Sequence, residues 1–207
     1  MRIQGIDIQR LSHASFILKG SRTIYIDPFQ IAGSPEPADF ILISHEHYDH
    51  CSSQDVKKVI TPETIIVTVP DCMSKLNSLN VKEIKIVNPG DQVNYDKVHI
   101  EAVPAYNIGK PFHPKDNDWI GFIVTMDNVR IYHAGDTDLI PEMKKIDVDI
   151  ALLPVSGKYV MTAEEAAQAT TLMKVKTAIP MHYGAIVGTN DDAERFKKLC
   201  TCKVEIL

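Results

Sequence analysis

Residues 44–50 read Ser-His-Glu-His-Tyr-Asp-His and follow directly on the apolar run Phe40-Ile41-Leu42-Ile43. A continuous apolar run of that length is the pattern of a buried strand. From its end, residues 45, 47 and 49 leave toward one side at period two, and a turn can swing His50 to the same centre. The sequence thus demands a fold in which a buried strand delivers His45, His47, Asp49 and His50 to one point. Neutral imidazoles and a carboxylate at such a point suit zinc, and also iron or manganese. The competing reading is a polar loop that is merely histidine-rich. It has to place three of the chain's eight histidines within six positions without a reason.

One short loop rarely closes a metal site alone, so the remaining ligands are expected elsewhere in the chain. In Tyr132-His-Ala-Gly-Asp-Thr-Asp138, Asp136 follows a strand-like segment in a glycine-containing turn, where a carboxylate can leave the backbone and bridge two ions. In Ile179-Pro-Met-His-Tyr-Gly184, His182 follows another. Functional groups on sheet scaffolds gather at strand ends in this way.

The rest of the chain supplies the sheets. Segments 6–11, 14–19 and 23–27 carry β-branched and aromatic residues between Ser-His and Gly-Ser-Arg breaks, and predict a meander. Residues 40–44 and 64–69 predict buried strands with a helix over 54–60 between them, and 98–105, 119–126, 129–134, 149–155 and 177–182 form a second strand set. Thr162-Ala-Glu-Glu165 reads as a capping box opening a helix that runs to about Lys174; further helices are expected at 71–79, 138–146 and 190–200. Two strand groups, each followed by helices, predict an α/β chain with two packed sheets and helices outside. At 207 residues with no internal linker, one domain spanning 1–207 is expected.

Composition narrows the partners. A net charge of −5, with no basic run longer than a lysine pair, leaves no footprint for tracking phosphates, so no nucleic-acid partner is expected. No window approaches the length of a membrane span and the N-terminus has no signal-peptide pattern, which predicts a cytoplasmic protein without a membrane partner. Cys51, Cys72, Cys200 and Cys202 fit that compartment as reduced thiols.

Taken together, His45-x-His47-x-Asp49-His50, Gly135-Asp136-Thr137 and Pro180-Met-His182-Tyr-Gly184, with the early segment 13–29, resemble the metallo-β-lactamase fold over nearly the whole chain. Segments 132–143 and 152–169 are similar to small cytoplasmic metal-dependent hydrolases, relatives of ascorbate-6-phosphate lactonases and of N-acyl phosphatidylethanolamine phospholipase D. The resemblance implies a four-layer αββα sandwich of two mixed sheets with a dinuclear site at one edge. Carried over, His45 and His47 hold a first metal, Asp49, His50 and His182 a second, and Asp136 bridges them. Zinc is the first candidate for both, with manganese or iron as alternatives. The family's third ligand of the first metal is usually a histidine upstream of the bridging aspartate, where this chain shows Tyr106 and Asn107. His113 is the candidate for that role; the competing reading is a loop histidine in solvent beside an incomplete first site.

Other polar residues receive milder readings. Asp27 either accepts a hydrogen bond behind the metal loop or simply forms an Asp-Pro turn. His13 either faces the cleft mouth or, more simply, is structural; His133 reads as packed or as a support behind the ligands rather than a ligand; His99 has no assigned role, and Cys51 is expected to pack under the loop. Lys110, Lys115 and Lys158 could draw an anionic substrate but are more simply solvated lysines. Two bound cations lower the pKa of a water enough to make it a nucleophile near neutral pH, with Asp49 and Asp136 as the catalytic acceptors that direct it. The expected activity is hydrolysis of an ester, lactone, amide or phosphodiester in a small-molecule substrate. The alternatives are a non-catalytic metal-binding or regulatory protein, a nuclease, which should show a basic face, and a di-iron redox protein, which should show glutamate at position 47. Oligomeric state is not legible.

Overall fold

The computed structural model describes residues 1–207. The first half of the chain builds one seven-stranded sheet in sequence order: β1 (Arg2–Ile3), β2 (Ile6–Ser12), β3 (Ser15–Lys19), β4 (Thr23–Ile26), β5 (Phe40–Ile43), β6 (Ile65–Thr68) and β7 (Glu83–Ile86). The second half builds the other, with β8 (Gln92–Tyr95), β9 (Val98–Pro104), β10 (Ile120–Met126), β11 (Val129–His133), β12 (Asp147–Pro154), β13 (Lys174–Met181) and β14 (Lys203–Val204), again neighbouring in order. Both sheets are mixed. Strands β1 to β4 pair antiparallel and β4 to β7 parallel. In the second sheet β8 to β11 are antiparallel and β11 to β14 parallel. Helices α1 (Ser53–Val59), α2 (Met73–Leu76), α3 (Ala163–Leu172) and α4 (Asn190–Leu199) cover the sheets, giving the four-layer αββα sandwich expected from the sequence.

Patterning explains the layers. Strand β5 pairs with β4 and β6 along its two edges in parallel register and is buried at every position, so both of its faces are covered and both must be apolar. Strand β9 alternates, with Val98, Ile100 and Ala102 inside and His99 and Glu101 half out. His99 bonds Asn94 Oδ1 at 2.6 Å, away from any cluster. The two sheets feed one hydrophobic cluster of 62 buried residues. Backbone bonds join them directly, from Ile120 N to Ser44 O at 3.3 Å and from His182 N to His13 O at 3.0 Å.

The capping box at Thr162 forms as expected: its hydroxyl accepts from Glu165 N at 3.1 Å, and Glu165 Oε2 accepts from Thr162 N at 2.8 Å. The helix stops at Leu172, two residues earlier than its expected end, because Lys174 N turns to Ile146 O at 2.9 Å and the β-branched run that follows starts β13. The helix expected at 138–146 is only a 3-10 turn, Pro141–Lys145, which β12 overtakes at Asp147. That expected at 71–79 is reduced to a 3-10 turn, Pro70–Cys72, and the single turn of α2, before Asn77, Ser78 and Asn80 favour local turns over helix. Strands β7 and β8, four-residue strands at the sheet edges, lie outside the expected set although Glu-Ile-Lys-Ile and Gln-Val-Asn-Tyr alternate at period two, because so short a run carries little signal.

Gly121 lets β10 pass under the turn that carries Asp136. A Cβ there would lie 2.6 Å from His133 O and 2.7 Å from Ala134 O, both of them backbone atoms with little freedom to yield. Gly121→Ala is therefore expected to cost about 1–3 kcal/mol by overpacking, read as a lowered midpoint in a thermal melt. A melt unchanged from the parent protein would contradict this close approach.

Candidate metal centre

Loops leaving the strand ends converge at one edge of the sandwich. The loop after β5 carries His45, His47, Asp49 and His50; that after β9 carries His113; that after β11 carries Asp136; His182 follows β13 directly. All seven residues come together. Potential ligand atoms fall into three groups, each within 4.8 Å: His45, His47 and His113; His45, His50 and Asp136; and His13, Asp49 and His182. Asp136 lies at the hub, with its carboxylate 3.0 Å from His182 Nε2, 3.2 Å from His113 Nε2 and 3.4 Å from His50 Nε2.

Four of these rings are held by Nδ1, which leaves Nε2 aimed inward. His45 Nδ1 lies 2.9 Å from Ser44 Oγ, His50 Nδ1 2.7 Å from Asp27 Oδ2, His113 Nδ1 3.0 Å from Asn107 Oδ1 and His182 Nδ1 2.9 Å from Ser156 Oγ. Such partners select the tautomer whose other nitrogen can ligate. Asp27 is more than a turn former, since Oδ1 also accepts from Ser44 N at 2.8 Å and Oδ2 from the Ser44 hydroxyl at 2.6 Å. His113 is buried rather than solvated, and Asn107 explains why: Oδ1 also accepts from His113 N at 3.0 Å while Nδ2 donates to Tyr159 O at 2.9 Å. Trp119 stands behind the first group, its ring 4.8 Å from the rings of His45 and His47, anchored by Nε1 on Asp71 Oδ2 at 2.9 Å.

His13 is the residue that sequence reasoning missed. Nε2 lies 3.4 Å from Asp49 Oδ2 and its ring centroid 3.9 Å from that of His182, yet it sits in the β2–β3 turn, 169 positions before His182. Arg10 fixes it, donating from Nε to His13 O at 3.0 Å and stacking at 3.8 Å on the Tyr183 ring. His13, Asp27 and His182 also adopt left-handed backbone, with φ of 46°, 46° and 60°. Each costs about 1–3 kcal/mol, and such strain concentrates where a fold must aim side chains. His133 serves the turn instead: Nε2 bonds Ala14 O at 2.8 Å and Nδ1 accepts from Gly135 N at 3.2 Å. Cys51 packs beneath the loop, and all four cysteines are free thiols.

The donor set fits divalent cations. His13 Nε2, His50 Nε2, His113 Nε2 and Asp136 Oδ1 are buried without a hydrogen-bond partner, and buried polar atoms are normally satisfied. Here four such atoms face a shared centre lined by imidazoles and carboxylates. Burial holds the His45 pKa well below the ordinary imidazole value, and burial with the neighbouring His113 lowers that of His47. Asp136 stays well below the usual carboxylate range: burial opposes its charge, but His182, His50 and His113 outweigh burial. His50 goes the other way. Burial alone would lower it, but Asp136 and Asp27 raise it well above 6.5.

That raised value fixes a sign. Any stabilisation from a charged His50 is present below pH 6.5 and lost as pH rises through the raised folded value. Ligation through Nε2 requires the neutral ring, so metal loading at pH 7 is expected to release about one proton from this pair. Titration calorimetry in buffers of different ionisation enthalpy checks it, because the apparent heat should scale with the buffer term. A buffer-independent heat would exclude a protonated His50.

A family profile described as a beta-lactamase superfamily domain matches residues 7–182. A UPF0173 metal-dependent hydrolase from Pyrococcus horikoshii is 32% identical, the alignment covering 98% of this chain and 95% of the relative. Among solved structures, a protein from Parabacteroides distasonis described as a candidate metal-dependent hydrolase superposes with a TM-score of 0.87 at 34% identity, covering 97% of this chain and 92% of that one. A metallo hydrolase from Ignicoccus hospitalis shares the fold with a TM-score of 0.77 at 23% identity, over 98% and 94% of the two chains. A histidine- and aspartate-rich centre at the strand ends of this sandwich, with relatives of that kind along nearly its whole length, makes this chain a member of the beta-lactamase superfamily and a metal-dependent hydrolase.

Proposed function

We propose that the protein hydrolyses an ester, lactone or amide bond of a small substrate at a centre of two divalent cations, zinc before manganese or iron. His45, His47 and His113 would hold one cation, Asp49, His50 and His182 the other, and Asp136 both. The observation that carries this reading is the position of Asp136 among three histidine Nε2 atoms that come from three different loops.

When bound, the cations supply a charge that polarises a carbonyl and acidifies a water. The chain's own contribution is direction. Asp49 and Asp136 both sit below the ordinary carboxylate pKa, Asp49 because the His13 hydrogen bond and His50 overcome the opposing effect of burial, so both are ionised acceptors at neutral pH. Accepting hydrogen bonds from the attacking water, they orient its lone pair into the cleft. Trp119 and the Ser44–Asp27 pair keep the imidazoles from turning. The cavity over this centre is about 220 Å³, room for the reacting group of a small substrate. No helix is long and apolar enough to cross a membrane.

Metal analysis of the purified protein combined with a panel of lactone, ester, amide, thioester and phosphodiester substrates tests the proposal. Two divalent ions per chain and a carbonyl-substrate turnover that vanishes on chelation are expected. A chain without metal, or turnover indifferent to chelator, would remove the reading.

A further inference from the structure

The cavity over the metal centre has a floor and a wall of different chemistry. The floor is His13, His47, Asp49, His113, Asp136 and His182; the wall is Tyr48, Phe112, Tyr159 and Ile186. These four come from four separate loops, after β5, β9, β12 and β13. Tyr48, Phe112 and Ile186 are 64%, 41% and 38% exposed, three of only six large hydrophobic side chains that the chain leaves in water. Single exposed apolar residues are ordinary, but their convergence round one opening marks a surface that something apolar covers. The wall is also built: Phe112 meets Tyr159 edge-to-face at 4.6 Å, Tyr48 packs on Phe29 at 6.0 Å, and the Tyr159 carbonyl is tied to Asn107, which also holds His113.

What the wall lacks matters as much. None of the three lysines that could draw an anion lines the cavity. Lys110 is spent on Asp138 Oδ1 at 2.6 Å and Val160 O at 2.7 Å, Lys115 pairs with Glu142 at 3.4 Å, and Lys158 lies over the outer Tyr159 ring at 5.0 Å. A charged tail placed against this wall would lose hydration and meet no lysine or arginine in the lining.

We infer, building on the hydrolase reading above, that the substrate carries a compact uncharged aryl or alkyl group beside its scissile carbonyl, seated between Phe112, Tyr159, Tyr48 and Ile186. The cavity, about 220 Å³, has room for a phenyl ring or a short alkyl chain.

Binding of three hydroxamates to the metal-loaded protein tests this without turnover: acetohydroxamate, benzohydroxamate, and the monohydroxamate of succinate, whose tail ends in a carboxylate. Benzohydroxamate is expected to bind at least about tenfold more tightly than acetohydroxamate, the scale at which apolar pockets discriminate. The succinyl compound should show no gain. In Phe112→Ala and Ile186→Ala the ratio should fall toward one while the thermal midpoint holds, because both side chains are exposed. Equal affinities, or a preference for the carboxylate tail, would overturn the apolar wall and leave the metal centre standing. If the protein takes up no metal, the hydrolase reading fails and takes this inference with it; if it takes up metal and no hydroxamate of any tail binds, this inference alone fails.

Discussion

Asp136→Ala should abolish chelator-sensitive turnover, with kcat/KM falling at least about 10³-fold, equivalent to roughly 4 kcal/mol of transition-state stabilisation. The carboxylate is buried and lies within 3.4 Å of the Nε2 atoms of His50, His113 and His182, so its removal takes away the only group that faces all three. Loss of metal should accompany loss of rate, since the three imidazoles would then lose the one carboxylate that lies among all of them. Asp136→Asn separates shape from charge: it keeps an oxygen at the hub but no net charge, and should fall nearly as far. Steady-state kinetics with metal content per chain measure both. Retention of metal and of rate within tenfold would remove Asp136 from the centre.

Asp27→Ala should be the most damaging single change to stability near the site. Fully buried, Asp27 accepts from Ser44 N, the Ser44 hydroxyl and His50 Nδ1 at 2.6–2.8 Å. Truncation leaves all three donors buried and strands the raised His50, a loss of about 3–5 kcal/mol on the scale of broken buried ion pairs. In a chain of this length each kcal/mol moves the melting midpoint by roughly 2–4 °C, so a drop near 10 °C is expected. Metal affinity should weaken about 10–100-fold, as it does when the group behind a ligating histidine is lost. Asp27→Asn should be milder, because asparagine keeps an acceptor and tolerates the left-handed φ of 46°. A metal-free Asp27→Ala protein melting within 2 °C of its parent would show that the contacts carry no weight.

The fold was legible where one element's pattern is self-sufficient. Strand β5 declares itself because burial on both faces forces an unbroken apolar run, and α3 because its cap is written in four adjacent residues. Strands β7 and β8 were missed although both alternate polar and apolar residues, because an alternation only four residues long at a sheet edge is too short to stand out. The helices expected at 71–79 and 138–146 failed for a related reason: local propensity there competes with a neighbouring strand or with turn-forming asparagines, and tertiary pairing decides the outcome.

The sequence by itself determined the chemistry: His45, His47, Asp49 and His50 leave one strand end within six residues, so their meeting requires only that strand and a turn. Asp136 and His182 were readable from the same rule, a ligand type just beyond an apolar run. Only the tertiary structure decided the rest. His13 reaches Asp49 and His182 because the two sheets close on each other there, with His182 N bonded to His13 O. His113 is buried because Asn107 folds its loop inward, and the apolar wall exists because four loops, each carrying one unremarkable side chain, end at the same place. Periodicity and spacing describe a chain against its own neighbours; these groups are neighbours only after loop closure and sheet packing have paid the entropy of bringing distant segments together.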